Sequence, residues 1–428
     1  MFRSRWSNIV AQWCVKYYEK YGKAPGKAIV HLFEHWSEGN DDKEAISLID
    51  RYLSSLSEDW VSLRKESNPD YVLDLSEKYF NEIRIIRLRE ALEGDLDSSD
   101  LDNALKRIDS FGRVRIDGSS GVDVFHQEEV MVKAFEMKKD PLVVYKGALG
   151  NFFGTSLERD AFVACMAPEK GGKTFWLMDI AIRAMLQGRK VAFFEVGDLS
   201  QSQVLRRFAC RTAKRPMEPG TIKYPTYIMR EAESNFATVD FEEREFKTGL
   251  SLQEAIQANK KLVAKKKMKE SLFKLSTHPN DSINIKEIGA ILDNWERDGW
   301  IADVIVIDYA DILAPVYGVK ESRDQINATW KGMRALSQSR HCLVVTATQA
   351  DANSYDVETL SRSNFSEDKR KYAHVTGMFG INRTSDEKEQ GITRLNWIQL
   401  RESNFSEEKC VHVAGCLDLC NPAILSTF

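Results

Sequence analysis

The chain has 428 residues, of which 43% are hydrophobic and 29% are charged, and its formal net charge is −4. This composition excludes a disordered or collagen-like protein, and the acidic balance excludes a general electrostatic coat for nucleic acid. The apolar runs are too short to cross a bilayer, and the N-terminus lacks the apolar core of a signal peptide. We therefore predict a cytoplasmic protein without a membrane partner.

The first 115 residues are predicted to form a separate all-α domain. Apolar side chains recur at helical spacing from Trp6 to Phe111, and no strand pattern interrupts them. The glycine- and serine-rich stretch 112–124 then predicts a hinge. We assign residues 1–115 to a helical N-terminal domain and residues 116–150 to a linker that carries a short helix. The apolar stretch LVVYKGALGNFFGT at its end is either a docking linker or the first layer of the second domain.

Residues 151–428 show a different pattern, in which short apolar strands alternate with amphipathic helices. The predicted strands of this region cover residues 162–166, 190–194, 273–276, 304–307 and 342–346. Such alternation predicts an α/β domain with a parallel sheet that helices cover on both faces. Three further strands near 377–382, 393–400 and 410–418 predict a β meander added to this sheet.

Residues 214–272 interrupt the alternation and are predicted to be an insertion. They carry a lysine run between residues 260 and 269. The simpler interpretation of this run is a solvated helix face. The alternative is an electrostatic strip for nucleic acid or for a protein partner.

The strongest motif follows the first predicted strand and opens a helix. It consists of Ala167, Pro168, Glu169, Lys170, Gly171, Gly172, Lys173 and Thr174, and it matches the GxxxxGK[ST] phosphate loop except for alanine at the first position. The glycines permit close approach of backbone N–H groups to phosphates, and the helix adds the positive end of its dipole. Lys173 supplies a cation for the phosphates, and Thr174 supplies a hydroxyl for Mg²⁺.

A carboxylate is predicted near this loop because the apolar strand 304–307 ends at Asp308. Ligands of a parallel sheet bind at the carboxyl ends of its strands, so Asp308 is a candidate for holding Mg²⁺. A structural cap is the alternative role. With the phosphate loop, this residue predicts a site for ATP, or another nucleoside triphosphate, with Mg²⁺.

Hydrolysis also needs groups that orient water and stabilise charge. Glu195 and Asp198 follow the second strand, and either acid is a candidate for orienting water; the alternative role of Asp198 is the N-cap of the next helix. Gln349 ends a later strand, where an amide can sense the γ-phosphate or be an ordinary strand-end residue. Arg401 follows the strand 393–400 and is a candidate finger for a neighbouring subunit's nucleotide, or simply a surface arginine.

In this order, the elements of residues 140–428 resemble the RecA-like superfamily and, more narrowly, the DnaB-type replicative helicases of bacteria and their phages. The stretch VIVIDYADIL resembles the family's strand with its IDY tripeptide, and VAFFEVGDLS resembles the strand that ends at the catalytic acid. This match places Asp198 where the family usually has glutamate, with Glu195 as the competitor. TATQ places Gln349 at the family's coupling glutamine.

The resemblance also implies DNA-contacting residues. NFSEDKRKYAHV falls where the family has its DNA-gripping loop, which makes Lys369, Arg370 and Lys371 candidates for phosphate contacts. The alternative is a solvated run of surface charges. IQLRE resembles the family's Lys-x-Arg finger pair: Arg401 fits, whereas Gln399 stands at the lysine position. The loop APEKGGKT partly resembles the phosphate loop of the recombinase branch of the superfamily. This combination of recombinase-like and helicase-like motifs favours a divergent, phage-encoded member.

By resemblance, the protein is expected to be a ring-shaped homo-oligomer, a hexamer, that uses ATP and Mg²⁺ to move 5′→3′ along single-stranded DNA during replication. The helical N-terminal domain is then expected to close a collar and to recruit primase and a helicase loader. The alternative is a RecA-like DNA-dependent ATPase that acts as a recombinase or a regulatory switch without unwinding.

Overall fold

The structure is a computed structural model of the chain. It describes residues 5–21, 23–40, 42–63, 69–111, 128–136, 140–230, 237–316, 321–351, 354, 357–364, 369–401 and 404–428. The chain divides into two compact units, residues 1–134 and 135–428. Within the described ranges, none of the helices is long and apolar enough to span a bilayer.

The first unit is helical. Its helices are α1 (Arg5–Tyr21), α2 (Ile29–Glu38), α3 (Lys43–Leu63), α4 (Pro69–Asp97) and α5 (Leu101–Ser110), and α6 (Glu128–Glu136) follows across the unit boundary. Helix α1 packs on α2 and α3, and α4 packs on α5. Asp95 fixes the second pair, because its carboxylate accepts hydrogen bonds from Asn103 (3.0 Å) and Arg107 (2.6 Å) on α5. The predicted hinge at 112–124 lies outside the described residues.

The second unit contains eleven strands and seven helices among the described residues. The strands are β1 (Phe162–Ala167), β2 (Val191–Val196), β3 (Gly220–Arg230), β4 (Ala237–Phe246), β5 (Phe273–His278), β6 (Val304–Asp308), β7 (Leu343–Gln349), β8 (Gly377–Asn382), β9 (Ile392–Leu400), β10 (Cys410–Cys416) and β11 (Asn421–Thr427). The helices are α7 (Gly147–Phe153), α8 (Lys173–Leu186), α9 (Gln201–Ala213), α10 (Leu252–Lys266), α11 (Ile285–Arg297), α12 (Ser322–Ser339) and α13 (Ser385–Glu389).

Nine of these strands form one sheet in the order β11-β10-β9-β8-β1-β7-β6-β2-β5. The six strands from β8 to β5 run parallel, and β8 to β11 form an antiparallel meander at the other side. The central strands are buried on both faces. In β1, Phe162 and Met166 face the α11 and α12 layer, while Val163 and Cys165 face the α7 and α8 layer. The predicted α/β fold with a C-terminal meander is confirmed.

One predicted boundary is wrong. We expected the linker to extend to residue 150, but residues 140–150 belong to the core of the second unit. Leu142 and Val143 are fully buried, and the Tyr145 hydroxyl donates to buried Asp179 at 3.0 Å. The apolar stretch LVVYKGALGNFF therefore buries against the sheet, because exposing it would cost the free energy of hydrating these side chains.

Residues 214–272 form a β3–β4 hairpin followed by α10, placed between α9 and the edge strand β5. The hairpin packs on the meander, where buried Ile222 contacts Cys416 and Leu419. The sequence did not reveal this hairpin to us. Its second strand (ATVDFEEREF) carries charged residues at many positions, because only one narrow strip of the hairpin is buried.

Candidate nucleotide site

The 167–174 loop joins the end of β1 to the start of α8, as predicted, and its backbone requires glycine. A Cβ on Gly171 would lie 2.8 Å from the Ala167 Cβ and 2.9 Å from the Pro168 carbonyl oxygen. Gly172 has a φ of +93°, a conformation that side chains disfavour. The loop is therefore tightly wound, and the Gly171 N–H donates back to the Pro168 carbonyl at 3.0 Å.

Lys173 places a cation at this loop. Its Nζ lies 3.3 Å from the Pro168 carbonyl oxygen and 5.4 Å from the centre of the Tyr309 ring. Burial lowers the pKa of Lys173, while the charges of Asp308 and Asp311 oppose this change. Within the described ranges, the hydrogen bonds of this ammonium go to carbonyls of its own loop, which phosphate oxygens can replace.

Glu195 and Asp308 lie side by side at the carboxyl edge of the sheet, since they are register partners on β2 and β6. Both are buried, with 0% and 1% of their surface exposed. As ionised carboxylates, Glu195 Oε2 and Asp308 Oδ2 have no hydrogen-bond partner among the described residues. The Thr174 hydroxyl donates to Asp308, which ties this pair to the 167–174 loop.

The two carboxyls share a strongly perturbed titration. Burial, and then the Asp308 charge, raise the pKa of Glu195 to about 8. Burial raises the pKa of Asp308 to about 6, and the hydrogen bond from Thr174 opposes the rise. Near neutral pH, two buried carboxylates this close retain a proton unless a cation neutralises them. Their unpaired oxygens and the Thr174 hydroxyl are the hard oxygen donors that Mg²⁺ prefers, so these residues fit the expected ion.

Asp198 lies on the exposed turn after β2, and its charge acts on Lys173, Glu195 and Asp308. The alternative role that we weighed for Asp198, the N-cap of α9, is wrong. Ser200 is the N-cap, and it forms a reciprocal capping box with Gln203. This leaves the Asp198 carboxylate available to the site.

Glu195 also holds the turn that carries Asp198. Its Oε1 accepts a hydrogen bond from the Leu199 N–H at 2.9 Å. The buried acid therefore fixes the position of the exposed one, in addition to its contact with Asp308.

Gln349 lies at the end of β7, in register with Ala167 at the start of the loop. Its backbone N–H donates to Asp311 at 3.1 Å, and Asp311 also accepts from the Thr348 hydroxyl at 2.8 Å. The strand end that carries Gln349 is thus held by an acid on the 3₁₀ turn after β6. The register places the end of β7 beside the predicted phosphate loop.

Lys371 completes this network and does not face solvent. Only 1% of its surface is exposed, and its Nζ donates to Asp311 at 2.8 Å and to Thr348 at 3.1 Å. Our expectation that Lys371 contacts a DNA backbone is therefore at odds with the structure. The side chain is drawn inward because Asp311 offers an otherwise uncompensated buried charge.

The other two predicted DNA-contacting residues lie on the same 3₁₀ turn, Lys369–Ala373. Arg370 is exposed and pairs with Asp324 on α12 at 3.0 Å. The side chain of Lys369 and residues 365–368 lie outside the described part of the chain. Of the three predicted cations, Arg370 is the one that the structure shows at the surface.

Arg401 lies at the opposite edge of the sheet from the 167–174 loop. It follows Leu400, which pairs with Gly377 at the start of β8, and β8 runs parallel to β1. The guanidinium donates to the carbonyl of Ala373. Arg401 is therefore not part of the nucleotide site of its own chain.

Sequence reasoning missed Arg383. Its guanidinium lies 3.8–3.9 Å from where a Cβ of Gly172 would be, and its Nε donates to the Thr393 hydroxyl at 2.7 Å. Burial lowers the pKa of Arg383, and the Glu387 charge opposes this. Arg383 lies here because β8 pairs with β1 in parallel, which places the residue after Asn382 beside the loop.

Comparisons with known proteins support the fold. No protein-family model matches this sequence, and no curated protein matches it. Among solved structures, one described as an "ATPase Domain" matches at 13% identity with a TM-score of 0.52, covering 71% of this chain and 100% of that chain. "The Structure Of A DnaB-Like Replicative Helicase And Its Interactions With Primase" matches at 12% identity with a TM-score of 0.53, covering 90% of this chain and 85% of that chain.

The second unit thus has a RecA-like fold, and the 167–174 loop lies at the carboxyl edge of its parallel sheet. Within this class, the chain has the fold of the DnaB-type replicative helicases, and the predicted resemblance is confirmed at that level.

Proposed function

We propose that this protein binds and hydrolyses ATP, or a related nucleoside triphosphate, with Mg²⁺ at the 167–174 loop. One observation carries the proposal: the loop, Lys173 and the unpaired carboxylates of Glu195 and Asp308 meet at one edge of the sheet. A cluster of buried acids next to a tightly wound glycine loop and a cation suits a metal–phosphate complex.

Each side chain has a role in this proposal. The loop amides and Lys173 hold the β- and γ-phosphates, and Thr174 and Asp308 hold Mg²⁺, which supplies charge neutralisation when bound. Asp198 orients the attacking water, and Glu195 positions the turn that carries it. Gln349 senses the γ-phosphate. Arg383 supplies a second cation at the loop.

We further propose that hydrolysis drives a ring-shaped homo-oligomer, a hexamer, 5′→3′ along single-stranded DNA in the cytoplasm. The fold of DnaB-type helicases supports this proposal. Arg401 is then the finger that reaches the neighbouring subunit's nucleotide, since it lies far from its own loop. Arg370 and Lys369 contact the DNA backbone. Primase and a helicase loader are proposed partners of the helical N-terminal unit.

A second candidate function is a RecA-like DNA-dependent ATPase that acts as a recombinase or a switch without unwinding. Two observations favour it. Lys371 is buried, so the turn 369–373 presents fewer cations to DNA than we expected. Gln399 occupies the place of the family's finger lysine, and its amide accepts a hydrogen bond from Arg362.

A fork-unwinding assay separates the two functions. The helicase predicts strand separation that needs ATP, Mg²⁺ and a 5′ single-stranded tail on the fork. The Arg370→Ala variant is expected to unwind more slowly, while its ATP hydrolysis without DNA is unchanged. DNA-stimulated hydrolysis by the wild type without strand separation would favour the second function.

A further inference from the structure

A cavity of about 610 Å³ lies at the other end of α8 from the 167–174 loop. The C-terminal parts of α8 and α9 and one face of α10 line it, and we refer to it as the α8–α10 cavity. Helix α8 runs for 14 residues from Lys173 to Leu186, which corresponds to roughly 20 Å. The α8–α10 cavity is therefore separate from the nucleotide site.

Positive charge dominates the lining of this cavity. The cations that line it are Arg211, Lys214, Arg215, Lys261, Lys265 and Lys266, and the acid that lines it is Glu254. The chain as a whole has a net charge of −4. Cations concentrated in one concave surface of an acidic chain produce a local field that attracts anions.

Three of these cations are engaged within the protein. Arg211 pairs with buried Asp179 at 2.8 Å, and Arg215 pairs with Glu254 at 3.1 Å. Lys266 donates to the Leu186 carbonyl at 2.5 Å, at the C-terminus of α8. These contacts fix the walls of the cavity.

The other three cations have no polar partner among the described residues; they are Lys214, Lys261 and Lys265. Lys261 and Lys265 are four residues apart on α10, so they project from the same face, and Lys214 ends α9 across the cavity. All three lysines are exposed, so solvent screens their mutual repulsion, and their ammonium groups are available to an anion that enters the cavity.

The remaining wall is apolar, from Ile182 and Leu186 on α8 and Leu262 on α10. The volume falls within the range of small-ligand sites, about 300–1,000 Å³. We propose that the α8–α10 cavity is a second ligand site that binds clustered phosphate groups, with a nucleotide as the ligand class that its size and apolar wall fit best. The same phosphates on a nucleic-acid strand are the other source of this chemistry.

This inference is independent of the proposed function. Its test therefore uses a background in which nucleotide binding at the 167–174 loop is disabled. In the Lys173→Ala background, ATP binding is measured by calorimetry and oligothymidine binding by fluorescence anisotropy. Adding Lys214→Ala, Lys261→Ala and Lys265→Ala is expected to weaken binding of ATP at least tenfold. A control with the same charge change, Lys146→Ala, Lys223→Ala and Lys388→Ala, alters exposed lysines outside the cavity. It is expected to bind like its background.

Comparing ATP with oligothymidine shows whether the bound phosphates belong to a nucleotide or to a nucleic-acid strand. A loss confined to ATP indicates a nucleotide site. A loss confined to oligothymidine, with the slope of log affinity against log salt reduced by about 2 for three lysines, indicates a nucleic-acid backbone. The proposal is overturned if the cavity variant binds both ligands as the control does, or if the Lys173→Ala background binds neither. ATP hydrolysis by the cavity variant with Lys173 intact reports separately on the first site, so either proposal can fail alone.

Discussion

Glu195 on β2 and Asp308 on β6 face each other as register partners, and each has one buried carboxylate oxygen without a hydrogen-bond partner among the described residues. Neighbouring strands thereby place two acids at one point of the sheet edge, beside the Thr174 hydroxyl. Without a cation, the pair avoids mutual repulsion by retaining a proton. The stability of the protein without Mg²⁺ must therefore depend on pH.

The direction of this dependence follows from the raised pKa values. The pKa of Glu195 rises from 4.5 to about 8 on folding, so the folded protein binds more protons than the unfolded chain between these values. Its contribution to stability is full below pH 4.5 and is lost as the pH rises towards 8. Asp308 acts with the same sign between 3.8 and about 6.

We expect Glu195→Gln to raise the melting temperature relative to the wild type by a few degrees more at about pH 8 than at about pH 5, in EDTA. The amide carries no charge at either pH. Glu408→Gln, at an exposed position, is the matched control. Its melting temperature is expected to differ from that of the wild type by the same amount at both pH values. An effect of Glu195→Gln that does not vary with pH contradicts the shared proton.

The loop geometry predicts a nucleotide-binding defect in Gly171→Ala. The added Cβ would meet Ala167 and the Pro168 carbonyl, so the loop must shift and its amides lose their alignment. Loss of one hydrogen bond to a charged group costs about 1.5–3 kcal/mol, which corresponds to roughly 10- to 100-fold weaker ATP binding by calorimetry. Gly289→Ala on α11, where a Cβ meets nothing within 4 Å, is expected to bind ATP normally.

The buried Lys371–Asp311 pair predicts a large stability effect. Lys371→Met leaves the Asp311 charge uncompensated and is expected to reduce the free energy of unfolding by about 3–5 kcal/mol, measured with urea. Adding Asp311→Asn removes that charge and is expected to restore part of the loss. Arg370→Ala, next along the chain but exposed, should cost at most about 1 kcal/mol. A Lys371→Met variant as stable as Arg370→Ala contradicts the network.

The position of Arg401 predicts action between subunits. Arg401→Ala is expected to bind ATP normally but to hydrolyse it at least about tenfold more slowly. Co-assembly with Lys173→Ala subunits should restore part of the hydrolysis rate, because some interfaces then combine an intact Lys173 with an intact Arg401. Arg206→Ala, an exposed arginine on α9, is the control and is expected to behave as the wild type. If mixing restores no activity, the finger role is contradicted.

The features that the sequence predicted correctly depend on local chemistry. The turn at Gly171 and Gly172 depends on backbone conformation that only glycine permits, so the motif carries its own geometry. Asp308 was placed because parallel strands end at one edge of the sheet. The sheet itself was predictable since its central strands are continuous apolar runs.

The features that the sequence did not predict depend on long-range packing. Lys371 is a charged residue in a charged run, and its burial depends on Asp311, sixty residues earlier in the chain. Arg383 lies at the 167–174 loop only because β8 is the neighbour of β1. The β3–β4 hairpin buries one narrow strip on the meander, which leaves little apolar signal in its own sequence.

The central claim is that Lys173 and its loop hold the triphosphate that is hydrolysed. The most direct measurement is the steady-state rate of ATP hydrolysis, with and without single-stranded DNA, for Lys173→Ala and for Lys170→Ala, an exposed lysine of the same loop. We predict a loss of at least about 100-fold for Lys173→Ala with an unchanged melting temperature, and near wild-type rates for Lys170→Ala. Hydrolysis by Lys173→Ala at the rate of Lys170→Ala would contradict the site.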